Sequence, residues 1–309
     1  MISAEAKRRW RAALAPGFVT RFAPAPTGYL HLGHVVNAVW VWGVARAFDG
    51  RVLLRIEDHD RGRCRPEYEH ALLDDLDWLG LAPDGATTAD FRRGPQAQRQ
   101  SDNVARYAAR LDELERHGLV FACDCSRATI ARASDASTDE LRYPGTCRDR
   151  RVDPATTPAR RIRFDAAPAE EFDDLRLGAR TQAPDAQCGD LLGRDRAGNY
   201  TYQFAVVVDD LEQGVDVVIR GEDLLESTGR QIRLARMLGR STPPRFLHHP
   251  LVTHPDGSKL SKSSGDTGVR ELRAAGRSAH EVLGLAAQLG GVAREATPLS
   301  PDDLAALFR

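Results

Sequence analysis

The chain has 309 residues, of which 42% are hydrophobic and 28% charged, enough for one large domain with an insertion or for two ordinary ones. Its formal net charge of −1 provides no global basic field for nucleic acid. No apolar run approaches the roughly 18 residues that span a bilayer, and residues 1–17 carry basic side chains without an apolar signal core, so no membrane anchor or secretory leader is expected and a cytoplasmic location is.

In chain order, residues 1–17 read as an N-terminal extension. FVTRFAPAPTG then gives a short β-type stretch broken by Pro24, Pro26 and Gly28, and LHLGHVVNAVWVWGVARAF has the apolar spacing of a helix packed on a sheet. VLLRIED follows as a strand, so the opening is a βαβ unit, and helical patterns at Pro66–Leu79 and Ser101–His117 extend an α/β domain over residues 18–118. Residues 119–185 break the pattern with three clustered cysteines, several prolines and a strand candidate, ARRIRF, and are read as an insertion. Strand-like runs return at YQFAVVVDD and VDVVIRG, with a helix at Glu226–Leu238, so residues 186–240 form the second half of the domain. Residues 241–309 hold the apolar FLHHPLV, a lysine-containing loop and a helical end. The arginines Arg148, Arg150, Arg151, Arg160, Arg161 and Arg163 form a local basic cluster, read either as a solvated face or as a nucleic-acid patch.

Two constellations carry chemistry. His31-Leu32-Gly33-His34 sits where a loop after a strand opens a helix, a place that offers free N–H groups and the positive dipole end to phosphate. Imidazoles there can donate to oxygens on which charge builds, and Gly33 would let a flat nucleotide base approach the backbone. Lys259-Leu260-Ser261-Lys262-Ser263 lies between Gly257 and Gly265, a loop able to fold over a triphosphate and neutralise departing pyrophosphate. Either alone is ordinary, because such histidines more often cap or pack and a Lys/Ser loop is usually solvated. Their occurrence together, in this order, is far more specific.

With both in place, RFAPAPTGYLHLGH resembles the first motif of the class I aminoacyl-tRNA synthetases in its glutamate-specific form, and KLSKS resembles the second. LLRIEDHD, YQFAVVVDD and VIRGEDLLEST resemble the same group, so the likeness covers roughly residues 18–265. It implies a Rossmann-type doubly wound parallel sheet, α/β in class, with a zinc-binding insertion and a C-terminal helical stem-contact region. It also implies ATP-dependent activation of L-glutamate, with Mg2+ on the phosphates and with His31, His34, Lys259 and Lys262 as the catalytic groups. His31, Gly33, His34 and Lys262 would contact ATP. A glutamate side chain calls for an arginine fork, for which Arg21 and Arg220 are the candidates at the ends of strand-like runs, and Glu57 matches the position that takes the α-amino group. Arg21, Phe22, Ala23, Pro24, Ala25 and Tyr202 match family glutamate contacts.

Cys123, Cys125 and Cys147 are too close together for a secreted disulfide framework and are better read as metal ligands. Three thiolates leave one zinc position open. In the resembling family Tyr143 would fill it, with His117 or a water as the fallback, and one structural Zn2+ per chain is expected because the insertion has little core of its own. Cys64 and Cys188 are read as ordinary thiols.

Within the family, length and cysteine pattern are closest to members that transfer glutamate to the queuosine base of tRNA(Asp), and a monomer is expected. A complete glutamate-charging enzyme would continue past KLSKS through a helical anticodon-binding region. The alternatives are a short enzyme charging tRNA(Glu) and a non-catalytic RNA-binding paralogue, which would have no use for His31 or Lys262. A nucleotidyltransferase of the same superfamily would share H-x-G-H but not Arg21, Glu57 and Arg220.

Overall fold

The computed structural model describes residues 2–133, 140–165, 167–252 and 268–309. Helix α1 (Ala4–Ala13) starts on Ser3, whose hydroxyl oxygen accepts from Ala6 N at 3.1 Å. Its Trp10 is fully buried, donates from its indole N–H to Leu175 O at 2.5 Å, and packs against Trp40 and Phe48. The N-terminal extension is therefore a helix docked on the core.

Strand β1 (Val19–Phe22) pairs in parallel with β2 (Arg51–Leu54), and α2 (Leu32–Ala47) makes the crossover. Helix α2 is apolar on every side, and ten of its residues are buried, as a helix enclosed by other layers must be. Helices α3 (Pro66–Leu79) and α4 (Thr88–Arg93) follow, and a 3-10 turn at Gln100–Asn103 leads into α5 (Val104–Arg116).

The next segment holds β3 (Val120–Ala122), α6 (Arg127–Ala133), β4 (Arg160–Ile162), the hairpin β5 (Glu170–Asp174) and β6 (Gly178–Gln182), α7 (Pro184–Gln187) and β7 (Leu191–Arg194). Strands β3, β4 and β7 form an antiparallel three-stranded sheet. The hairpin instead leaves that sheet, because Asp174 pairs in parallel with Phe246.

Helix α8 (Tyr202–Glu212), β8 (Val217–Gly221), a 3-10 turn at Glu222–Ser227, α9 (Thr228–Met237) and β9 (Arg245–His249) complete a four-stranded sheet, ordered β6-β5-β9-β8. Its strands are parallel except the edge strand β6. Val19 and Asp216 join the two parallel ladders: Asp216 N donates to Val19 O at 2.8 Å, and Val19 N donates to the Asp216 carboxylate at 2.9 Å. The expected doubly wound parallel sheet is thus two abutting parallel ladders with an antiparallel edge.

One element differs in kind from its expectation. YQFAVVVDD is not a strand but most of α8, beginning after Thr201. An uninterrupted apolar run has no period that separates a buried strand from a buried helix, and here Phe204, Ala205, Val206, Val207 and Val208 are all buried. The eleven-residue length was the better guide.

Helices α10 (Val269–Ala274) and α11 (Ala279–Leu289) and a 3-10 turn at Pro301–Leu307 close the chain. They seal α2 rather than standing apart: Phe308 is fully buried, and a Cβ on Gly43 would meet its ring at 2.1 Å. Among the described residues no helix is long and apolar enough to cross a membrane.

Asp75 on α3 is an acid in this core, 6% exposed, and burial pushes its carboxyl up to about 6 although Arg273 opposes the rise. The folded state therefore binds a proton that the unfolded chain has already lost near pH 4, and stability falls as pH rises from about 4 to about 6. Asp75→Asn removes the penalty. Denaturation by urea should show the variant more stable by about 1–2 kcal/mol at pH 8, after allowance for solvent screening, with the gap closing near pH 4.

Candidate active site and metal centre

The carboxyl ends of β1, β2, β8 and β9 open onto a cavity of about 620 Å³. Arg21 and Phe22 reach it from β1, Glu57 from just beyond β2, Arg220 and Gly221 from β8, and His249 from β9, while Tyr202 enters from the first turn of α8. Open α/β sheets place ligands at this end. Ala23, Pro24, His31, Gly33 and His34 also line it, whereas Ala25 does not, its carbonyl accepting from Thr27 N at 2.8 Å. Lys259 and Lys262 lie outside the described residues.

The two histidines at the start of α2 cap the helix. His31 Nδ1 accepts from Gly33 N at 3.1 Å, and His34 Nδ1 accepts from His31 N at 3.2 Å, a reciprocal capping box built from imidazoles. A nitrogen that accepts carries no proton, so the neutral rings hold theirs on Nε2. The rings lie 4.0 Å apart on the cavity wall. Capping and catalysis, rival readings in the sequence, are here compatible: the cap fixes the tautomer that turns each ring into a donor. Gly33 serves this arrangement, since a Cβ there would meet the His31 ring at 2.9 Å.

Beneath the cavity lies an ion cluster that sequence reasoning did not find. Asp210 Oδ1 accepts from Arg21 Nε at 3.1 Å and from Arg55 at 2.7 Å, and Arg55 also binds Glu57 at 3.1 Å. All four side chains are buried, so two cations balance two anions. Burial opposes the charge on Arg55, but Asp210 and Glu57 outweigh it and hold its pKa above the ordinary value. Burial likewise opposes ionisation of Asp210, which Arg21 and Arg55 reverse. Asp210 ends the run misread as a strand, and only the helix brings it beneath Arg21.

Arg220 stands outside that balance. It is 4% exposed, and its side-chain partners are neutral: His248 Nε2 at 3.0 Å, Gln231 Oε1 at 2.6 Å, Thr228 Oγ1 at 2.9 Å and the Tyr202 hydroxyl. Among the described residues it makes no ion pair, and burial lowers its pKa. A guanidinium has more N–H groups than these neutral partners occupy. The cavity therefore has a buried cation in its wall with donors left for a carboxylate.

The cysteine cluster forms a second centre. The sulfurs of Cys123, Cys125 and Cys147 lie within 4.8 Å of one another, and Cys125 and Cys147 are 3.4 Å apart. Tyr143 is buried beside them, its hydroxyl 3.6 Å from Cys123 Sγ and accepting from Cys147 N at 2.8 Å. Burial alone would raise the Cys123 thiol, but hydrogen bonds from Tyr143 and Arg161 bring it below its usual value, whereas burial and the neighbouring sulfurs push Cys125 up to about 12. Three thiols this close cannot all ionise without a cation between them, so the donor set fits a metal such as zinc. Among the described residues the ligand group contains no histidine.

Part of the arginine cluster serves this centre instead of forming a uniform solvated face. Arg161 is buried, donates to Cys123 Sγ at 3.3 Å and stacks on the Tyr143 ring, while Arg150 pairs with Asp124 and Arg148 with Asp190. Cys188 is buried and Cys64 half-buried, and burial pushes both thiols up to about 11.

Residues 18–293 match the model of the class I tRNA synthetases (E and Q), catalytic domain. The chain is 42% identical over 299 residues to a glutamyl-Q tRNA(Asp) synthetase of Symbiobacterium thermophilum, covering 93% of this chain and 91% of that one. It is 44% identical over 251 residues to a protein of the same name from Geobacter sulfurreducens, covering 80% and 76%. Among solved structures it resembles a glutamate tRNA ligase from Elizabethkingia meningosepticum, in complex with its amino acid, at a TM-score of 0.77 and 25% identity; the match covers 93% of this chain but only 64% of that longer one. The chain thus belongs to the class I tRNA synthetase family for E and Q, through its catalytic domain.

Proposed function

We propose that the chain activates L-glutamate with ATP as glutamyl-adenylate, without needing tRNA for that step, and transfers the glutamyl group to the queuosine base at the wobble position of the tRNA(Asp) anticodon, releasing AMP. The observation that carries the glutamate part is Arg220, a buried cation facing the cavity with no carboxylate partner among the described residues. Relatives named glutamyl-Q tRNA(Asp) synthetase, matched over most of their length, support the acceptor.

In this reading the side-chain carboxylate binds Arg220 and Arg21, the α-amino group faces Glu57, and Tyr202, Phe22, Ala23 and Pro24 complete the amino-acid site, from which Ala25 is set back. An α-carboxylate oxygen attacks the α-phosphorus of ATP in line, the bond to the bridging oxygen breaks, and pyrophosphate leaves. No protein nucleophile takes part. The Nε2–H groups of His31 and His34 donate to the phosphate oxygens, and Gly33 keeps His31 folded onto its cap. Lys259 and Lys262, assigned from their motif, neutralise the departing charge. Mg2+ arriving with ATP supplies further charge neutralisation on the phosphates. Zn2+ at Cys123, Cys125, Cys147 and Tyr143 is structural: among the described residues the buried cluster around it holds Phe121, Cys123, Ile130, Tyr143 and Cys147, too small a core to stand without a staple.

Glutamate-dependent exchange of pyrophosphate into ATP should proceed without tRNA, and labelled glutamate should pass to tRNA(Asp) carrying queuosine, not to tRNA(Asp) lacking it or to tRNA(Glu). In the exchange assay His31→Asn, which keeps an N-cap acceptor, should lose about 10²–10³-fold in kcat with stability nearly unchanged. Label on tRNA(Glu) would make the chain a short charging enzyme, and an absence of exchange would refute activation altogether. For the metal, elemental analysis should find one zinc per chain. Cys125→Ser should lower both that content and the melting temperature, and full stability of metal-free protein would reject the structural role.

A further inference from the structure

Arg220 and His248 are register partners on the parallel strands β8 and β9, so their side chains leave the sheet together. Phe246, two residues earlier on β9, stacks parallel to the His248 ring and lies under the Arg220 guanidinium. Behind His248, at the end of β5, Asp174 is wholly inaccessible. Its Oδ1 accepts from Arg176 N at 3.0 Å and Leu177 N at 2.8 Å, and its Oδ2 accepts from His248 N at 3.2 Å. The same Oδ2 faces His248 Nδ1 at 2.7 Å.

These contacts leave one consistent assignment of protons. A carboxylate only accepts, so His248 Nδ1 carries the proton; a guanidinium nitrogen only donates, so His248 Nε2, 3.0 Å from Arg220 Nε, carries none. The ring is neutral, and a second ring proton would set N–H against N–H. Burial, together with the charge of Arg220, holds the imidazole pKa below its ordinary value, which agrees with this assignment.

The arrangement has an electrostatic consequence. A carboxylate placed directly on Arg220 would spend the cation and repel an incoming acid. A neutral imidazole fixes the guanidinium just as firmly and leaves its charge available, with the charge of Asp174 set one ring away. Nothing in the cavity-lining residues requires His248, which is not among them; its contact is with the back of Arg220.

We propose that Asp174 and His248 are positioning residues that hold Arg220 as an uncompensated cation aimed at the substrate's side-chain carboxylate, and that this relay sets the preference for the acid over the isosteric amide. The proposal rests on the glutamate reading given above and adds to it the origin of side-chain selectivity.

The test compares His248→Gln, whose side-chain carbonyl can still accept from Arg220, with His248→Leu, which cannot. Amino-acid-dependent pyrophosphate exchange is measured with glutamate, glutamine and ATP varied in turn, and nitrogen-15 NMR reads the His248 tautomer in the unmutated protein. The relay predicts a ring protonated on Nδ1 and a glutamate KM raised about tenfold or more in His248→Leu, with the ATP KM within about twofold. It further predicts a reduced ratio of glutamate to glutamine use in that variant, largely restored in His248→Gln. A ring protonated on Nε2, equal losses in both variants, or parallel changes in both KM values would overturn it. If the unmutated protein shows no glutamate-dependent exchange, the underlying reading fails, and the tautomer still decides whether the relay exists.

Discussion

A guanidinium buried without a counter-ion is costly, and the arrangement around the cavity depends on how this chain accommodates Arg220, which has no ion-pair partner among the described residues. Its contacts are all to neutral acceptors, so it is hydrogen-bonded but not discharged. The neighbouring arginines are treated differently. Arg21 and Arg55 share Asp210, and Arg55 also holds Glu57, so the floor of the cavity is internally balanced. In the proposed reading, the contrast between a neutralised floor and one buried, unpaired cation in the wall is what favours an acid, whose carboxylate would complete the charge balance.

Positioning explains the rest of the site. Sheet geometry delivers Arg21, Glu57, Arg220 and His249 to one edge because Arg21, Arg220 and His249 lie in the last residues of strands that end there and Glu57 lies just beyond β2. Helix α2 adds its capped N-terminus to the same edge, where the backbone bonds that stabilise the first turn also fix the protons of His31 and His34. In the proposed reading, stability and chemistry are therefore coupled in α2. The docked N-terminal helix and the C-terminal turn cover this helix from outside, through Trp10 and Phe308, and keep its register against the sheet.

Much of this was legible in the sequence, for identifiable reasons. The βαβ opening carried turn residues and clear periodicities, and helix α3 matched its predicted span of Pro66–Leu79 because a proline starts it and Gly80 ends it. The cysteine cluster was visible because its members are close in sequence as well as in space. Asp210 was not found because its run of valines hides a helix, and the ion cluster exists only when that run is helical. Asp174 and His248 are 74 residues apart in the chain, and no spacing rule connects an acid ending one strand with a histidine on another. Only the pairing of β5 with β9 brings them together.

The central claim is that Arg220 awaits a side-chain carboxylate. Calorimetric titration of the ATP-free protein with L-glutamate and, separately, L-glutamine tests it most directly, because the two ligands differ only at the group that would meet Arg220. The account predicts that glutamate binds and that glutamine binds at least about tenfold more weakly, the cost of leaving a buried cation facing a neutral amide. Equal affinity for the two would contradict it.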